Sequence, residues 1–182
     1  MLPTMPDWDA LHPLIIHFPI ALLMVAPLII LIGIFLPPRG RTYFFIAAFI
    51  LMLLGTIACF VAVSTGSAAG ELAERVANVE GVLEQHEELA ETSQAVVSAL
   101  TLVFGTIVFI PLLFKKDLSR TITAILSAAF LVFYGSGMVL LINTAHQGGL
   151  LVHQYGVRAM VASSNSTWGV PSKKEHRDKD HD

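Results

Sequence analysis

Residues 14–36 read LIIHFPIALLMVAPLIILIGIFL, a stretch without a single Asp, Glu, Lys or Arg. A helix needs about 20 mostly apolar residues to cross a hydrocarbon core of about 30 Å, so this stretch is long enough to span a bilayer. Three more share its character: 42–65, 95–114 and 121–142 also lack all four charged residue types. The hydrophobic share of 54% and the mean hydropathy of +0.69 exceed the roughly 45–50% apolar content usual for soluble domains. The chain therefore reads as an all-α, integral membrane four-helix bundle, with one transmembrane domain over 1–157. Helices are expected at about 13–36, 42–65, 83–114 and 120–145, with an outer amphipathic segment at about 68–92. The remainder, 158–182, ends in the mixed-charge run SKKEHRDKDHD and is expected to be a flexible polar tail.

The first stretch does not fit a cleavable signal. Its lead carries Asp7 and Asp9 but no Lys or Arg, and its apolar run is too long. The single cysteine, Cys59, excludes an internal disulfide, a CxxCH haem attachment and a cysteine-ligated iron–sulfur cluster within this chain. It reads as a small core residue. No GxSxG, Walker loop, Rossmann fingerprint or basic, aromatic-interleaved patch for nucleic acid is present. Trp8 and Trp168 suit interfacial or exposed positions.

The short connections set an orientation. PPRGR after the first span holds Arg39 and Arg41, and KKDLSR after the third holds Lys115, Lys116 and Arg120. The positive-inside rule puts both in the cytoplasm and both termini outside, which is periplasmic for a protein of a Gram-negative inner membrane. The connection 66–94 then also lies outside, with seven Glu and one Arg.

On this topology five histidines gather at the outer face: His12 and His17 on the first span, His86 before the third, His146 and His153 after the fourth. His176 and His181 belong to the polar tail. Leu72, Val76, Val79, Leu83, His86 and Ala90 recur every three or four residues, which turns His86 toward the bundle. Counted from the cytoplasmic ends, His12 stands 25 residues above Pro37, His146 26 above Arg120 and His86 29 above Lys115. At 1.5 Å per residue these three fall within ~6 Å of one height, which favours a His86–His146 pairing. His17 lies deeper, and His153 higher unless Gly148–Gly149 bends the chain back.

Three chemistries suit such a cluster. Inward imidazoles from different helices can ligate b-type haem, with the small residues Gly55, Ala58, Ala62, Gly66, Gly105, Gly135, Ser136 and Gly137 making room. They can hold zinc or copper, with His17, His86, His146 and His153 as ligands and Glu87 beside them. HEELA is not the zinc-protease H-E-x-x-H, because position 90 is alanine. Imidazoles, titrating near pH 6.5 when unperturbed, can also take protons from a quinol. Against all three stands a plain role, in which each histidine caps a free backbone group at a helix end. Glu84, Glu87, Glu88 and Glu91 read as a solvated face that can steer a basic cytochrome.

HPLIIHFPIALL at 12–23, TG at 65–66, HEELAE at 86–91 and HQGGLLVHQYG at 146–156 together resemble a bacterial membrane family, the domain of unknown function twenty-two thirty-one. The resemblance covers roughly residues 11–157. It implies a four-helix inner-membrane protein working beside c-type cytochrome or Rieske modules, with His12, His17, His86, His146 and His153 as the motif histidines. The reading is a membrane electron-transfer subunit holding one b-type haem, or two, through His17, His86, His146, His153 and His12. Its expected partners are membrane lipid, quinone and a c-type cytochrome or other redox subunit. A zinc- or copper-binding membrane protein and a structural subunit of a larger complex are the alternatives.

Overall fold

The computed structural model describes residues 8, 11–74, 76–115 and 118–157; the side chain of Leu72 and the expected tail at 158–182 lie outside that description. Five helices follow in order: α1 (His12–Ile15), α2 (His17–Phe35), α3 (Pro38–Ala73), α4 (Glu80–Leu113) and α5 (Arg120–His153). α1 and α2 form one span, and α3, α4 and α5 supply three more, so among the described residues four helical segments are long and apolar enough to cross a membrane. No strand occurs among the described residues.

The break between α1 and α2 has a local cause. Pro19 has no N–H to give the Ile15 carbonyl, and the chain relaxes into a turn at Ile16. Pro27 removes the donor for the Leu23 carbonyl in the same way, yet α2 runs on through it. There the Tyr134 hydroxyl of α5 donates to Leu23 O at 2.7 Å and takes the place of the missing amide.

The core fills the middle of the bundle. Leu23, Ala26 and Ile30 of α2 meet Phe45, Ala48, Met52 and Cys59 of α3, Val97, Phe104 and Val108 of α4, and Phe130, Tyr134, Met138 and Leu141 of α5. Phe45, Phe104, Phe130 and Tyr134 form a chain of tilted rings with centroids 5.7, 4.9 and 5.7 Å apart, within the favourable range for aromatic pairs. Small residues let the helices close up, as expected where lipid gives no hydrophobic drive between helices. A Cβ on Gly55 would come within 2.8 Å of Leu23, and one on Gly105 within 2.9 Å of Phe49. Thr56 and Thr101 share a hydrogen bond of 2.8 Å between α3 and α4. Large apolar side chains such as Leu28, Ile57, Leu102, Val132 and Phe133 point outward, the inverse of a soluble surface.

The 36 residues of α3 and the 34 of α4 and of α5 give lengths of roughly 50–54 Å, some 20 Å beyond a hydrocarbon core. All three begin or end near the arginine-bearing connections, so the excess rises at the opposite, histidine-bearing end. This alters the expected layout. Most of the amphipathic segment at 68–92 is not a separate element: its first part continues α3, its last part begins α4, and only a short turn separates them. Asn78 takes a left-handed φ of 63° in that turn, a conformation Asn tolerates better than most residues. α5 runs on to His153, well past the expected end near 145. A second small core of Ala73, Val79, Leu83 and Leu151, with Val76, Val82, Tyr155 and Val157 against it, closes this end.

Candidate functional site

Beneath that small core lies a cavity of about 650 Å³, within the usual size range for cofactor sites. Its wall is mostly apolar. Pro13, Ile16 and Ile20 stand on one side, Cys59, Ala62 and Gly66 on the next, then Leu83 and Ala90, and finally Leu141, Gly148 and Val152. All five helices contribute. Among the described residues the lining contains three histidines and the carboxylates of Glu87 and Glu91, but no Lys or Arg.

Two histidines are held within it. His12, opening α1, donates from Nδ1 to the Ala62 carbonyl of α3 at 2.9 Å, and the Thr65 hydroxyl oxygen lies 3.2 Å from the same nitrogen. The Thr65 hydroxyl itself donates back to the carbonyls of Val61 and Ala62, so toward His12 it can only accept. His86 of α4 donates from Nδ1 to the Thr144 carbonyl of α5 at 3.0 Å. A carbonyl only accepts, so each Nδ1 must carry a proton, and in the neutral form of the ring Nε2 keeps its lone pair. The ring centroids are 6.5 Å apart and the ring planes 83° apart.

A polar cluster locks the His86 side. Ser93 and Thr144 share a 2.9 Å hydrogen bond, and the Thr144 hydroxyl also donates to Leu89 O at 3.1 Å and Leu140 O at 3.0 Å. Just outside, Gln147 Nε2 donates to Gln85 Oε1 at 2.9 Å. These contacts tie α4 to α5 at the turn that carries His86.

The five sequence-predicted histidines separate on this geometry. His12 and His86 come together, and His153, the last residue of α5, lines the same cavity with an exposed side chain. His17 and His146 are exposed and outside the lining. Height placed His146 beside His86, but rotation about α5 decides. Thr144 and Gly148 face His86, and His146, two residues from each, lies on the far side of a helix turning 100° per residue. The Gly148–Gly149 pair makes no bend; it sits inside α5, where a Cβ on Gly148 would stand 3.1 Å from His86 Cε1. Cys59 is buried in the floor of the cavity.

Sequence reading has Ala62 only as a small residue making room and misses Thr144 and Ser93; the backbone carbonyls of Ala62 and Thr144 orient the imidazoles. Carbonyls have no sequence signal. The spacing from Ala62 to Gly66 and from Thr144 to Gly148, four residues in each case, is the only trace they leave.

These features define a four-helix membrane protein with an imidazole-lined cavity at one end of its bundle. The chain belongs to the family described as predicted membrane protein (DUF2231), whose model matches residues 8–160. No curated protein and no solved structure matches it.

Proposed function

We propose that the protein is a membrane electron-transfer subunit that holds one b-type haem between His12 and His86. One observation carries this reading: two imidazoles from separate helical hairpins, each with Nδ1–H committed to a backbone carbonyl, share a cavity of about 650 Å³. Hydrogen bonding the non-ligating nitrogen is the usual way a protein fixes a metal-ligating histidine. The two ring centroids are 6.5 Å apart, close enough for both imidazoles to reach one bound group.

The donor set favours haem over a bare ion. Structural zinc takes four protein ligands and catalytic zinc three, and among the described residues no group of three or more His, Cys, Asp or Glu is placed to hold a metal. A haem would need only two protein ligands, which His12 and His86 would provide. When bound it supplies a one-electron couple whose potential is set by axial ligation and burial. The lining is mostly apolar but holds the Glu87 and Glu91 carboxylates and, among the described residues, no Lys or Arg, so the carboxylates of a b-type haem would have to point out of the cavity. The Glu side chains of α4 make the outer surface acidic, which suits a basic cytochrome as electron partner. The quinone pool or a neighbouring membrane complex is the other partner, in a bacterial inner membrane with the histidine end facing the periplasm.

The test is the absorbance of the purified chain. A Soret band that sharpens on reduction is expected, with one haem per chain. A colourless protein with stoichiometric copper or zinc would replace haem by a metal, and a protein with neither would leave a structural subunit.

A further inference from the structure

The His12 and His86 environments match part for part. Each histidine lies on the first helical segment of a hairpin and donates to a carbonyl on the second, Ala62 or Thr144. Four residues on, each second helix has a glycine whose missing side chain is filled by the same edge of the ring. A Cβ on Gly66 would stand 2.9 Å from His12 Cε1, 3.2 Å from Nδ1 and 3.7 Å from Nε2. A Cβ on Gly148 would stand 3.1, 3.6 and 3.7 Å from the same atoms of His86.

The match extends down the bundle. A shift of 74 residues carries His12 onto His86, and also Pro19 onto Ser93, Leu23 onto Val97 and Ile30 onto Phe104, all three of these pairs buried. On the second helices a shift of 82 carries Ala62 onto Thr144 and Gly66 onto Gly148, and likewise Met52 onto Tyr134, Ala48 onto Phe130 and Cys59 onto Leu141. The same shift carries Gly55 onto Gly137. Gly55 is packed against Leu22 and Leu23, and Gly137 against Val96, the counterpart of Leu22, and Leu100. Few of these pairs are identical residues, so the repeat lies in burial and backbone geometry more than in letters.

We infer that the site consists of two equivalent half-sites related by an internal two-fold, one per helical hairpin, and that Gly66 and Gly148 are matched positioning residues that set the two imidazoles. This rests on the haem reading above. The physical reason is clearance. At 2.9–3.1 Å an added methyl pushes the ring back by several tenths of an ångström. The imidazole must then either stretch its bond to the carbonyl or rotate and redirect its Nε2. Orientation errors of about 0.5 Å are enough to degrade a ligand constellation.

The test compares Gly66→Ala and Gly148→Ala with Gly55→Ala in the full-length protein. Gly55→Ala meets Leu23 instead of an imidazole, so it reports the cost of crowding alone. On the haem-loaded wild type, both site variants should alter the low-spin electron paramagnetic resonance signal in the same direction. Their haem affinity should fall roughly 10–100-fold, the usual cost of disturbing a ligand's supporting contacts. Gly55→Ala should keep the wild-type signal even where it lowers thermal stability. A second readout needs no haem: nitrogen NMR of histidine-labelled apoprotein should show His12 and His86 in the same Nδ1–H tautomer. Gly66→Ala should then shift only the His12 resonances, and Gly148→Ala only those of His86. Unchanged signals in both variants, or an effect at one glycine alone, would overturn the paired half-sites. A wild type that takes no haem but shows the two matched imidazoles would instead overturn the haem reading and leave the pairing standing.

Discussion

His12 and His86 each commit their Nδ1–H to a carbonyl that lies inside a helix. Ala62 O and Thr144 O already face the amides of Gly66 and Gly148 in the helical ladder, so the imidazoles use a second lone pair and do not rescue a free group. The capping role allowed by the sequence therefore does not describe these two residues. A ring held at Nδ1 presents Nε2 in a fixed direction, which is what a ligand needs. On this basis His12→Ala and His86→Ala should each abolish the low-spin haem spectrum, while His17→Ala and His146→Ala should keep wild-type haem content. Absorbance of the four purified variants decides it. Loss in His146→Ala with retention in His12→Ala would restore the pairing suggested by height. That suggestion had a definite limit. Distance along a helix can be counted from the sequence, but rotation about its axis relative to three neighbours cannot. For His86 the stripe through Leu83 and Ala90 gave the rotation, and for His146, in an almost uniformly apolar helix, no stripe was available.

At the scale of the helix, proline and its remedy are separable. Pro27 leaves the Leu23 carbonyl without an amide, and the Tyr134 hydroxyl, from a residue fully buried at 1% exposure, supplies the donor. Tyr134→Phe should leave that carbonyl unsatisfied in a low-dielectric core, at about 1–3 kcal/mol. In a Pro27→Ala background the new amide can reach Leu23 O, so the same Tyr134→Phe change should cost about 1 kcal/mol or less. A double-mutant cycle on unfolding in mixed micelles measures the difference, and equal costs in both backgrounds would show that the hydroxyl does not stand in for the amide. The four spans were legible because charge-free runs of about 20 residues admit few other readings. The extension of α4 above the membrane was legible too, in a helix expected at 83–114 and found at Glu80–Leu113; that of α3 was not, since Glu-rich helical turns and a separate amphipathic helix have the same periodicity. Only the turn around Asn78 tells them apart, and Asn is a weak breaker.

For the whole molecule the remaining question is which end faces out. The bundle has one end with Arg39, Arg41 and Arg120, where the Arg120 guanidinium donates to Phe35 O at 3.4 Å and joins the two hairpins. The other end has the histidine cavity and Glu71, Glu74, Glu80, Glu84, Glu87, Glu88 and Glu91. Charged residues at a helix centre cost about 2.5–3.5 kcal/mol to insert, and short basic loops stay on the cytoplasmic side. The orientation that keeps the arginines inside therefore puts the cavity outside. Two glycines allow a direct test. A side chain on Gly81 meets nothing within 4 Å, and one on Gly40 makes only ordinary contact with Leu36, so neither substitution should disturb the fold. Cys59 is buried and should stay silent toward an impermeant maleimide. Gly81→Cys is expected to label on spheroplasts, and Gly40→Cys only once the membrane is opened. The reverse pattern would place the imidazole cavity in the cytoplasm. It would also remove the periplasmic cytochrome as a partner while leaving the His12–His86 site intact, because that site depends on contacts between helices and not on the side from which electrons arrive.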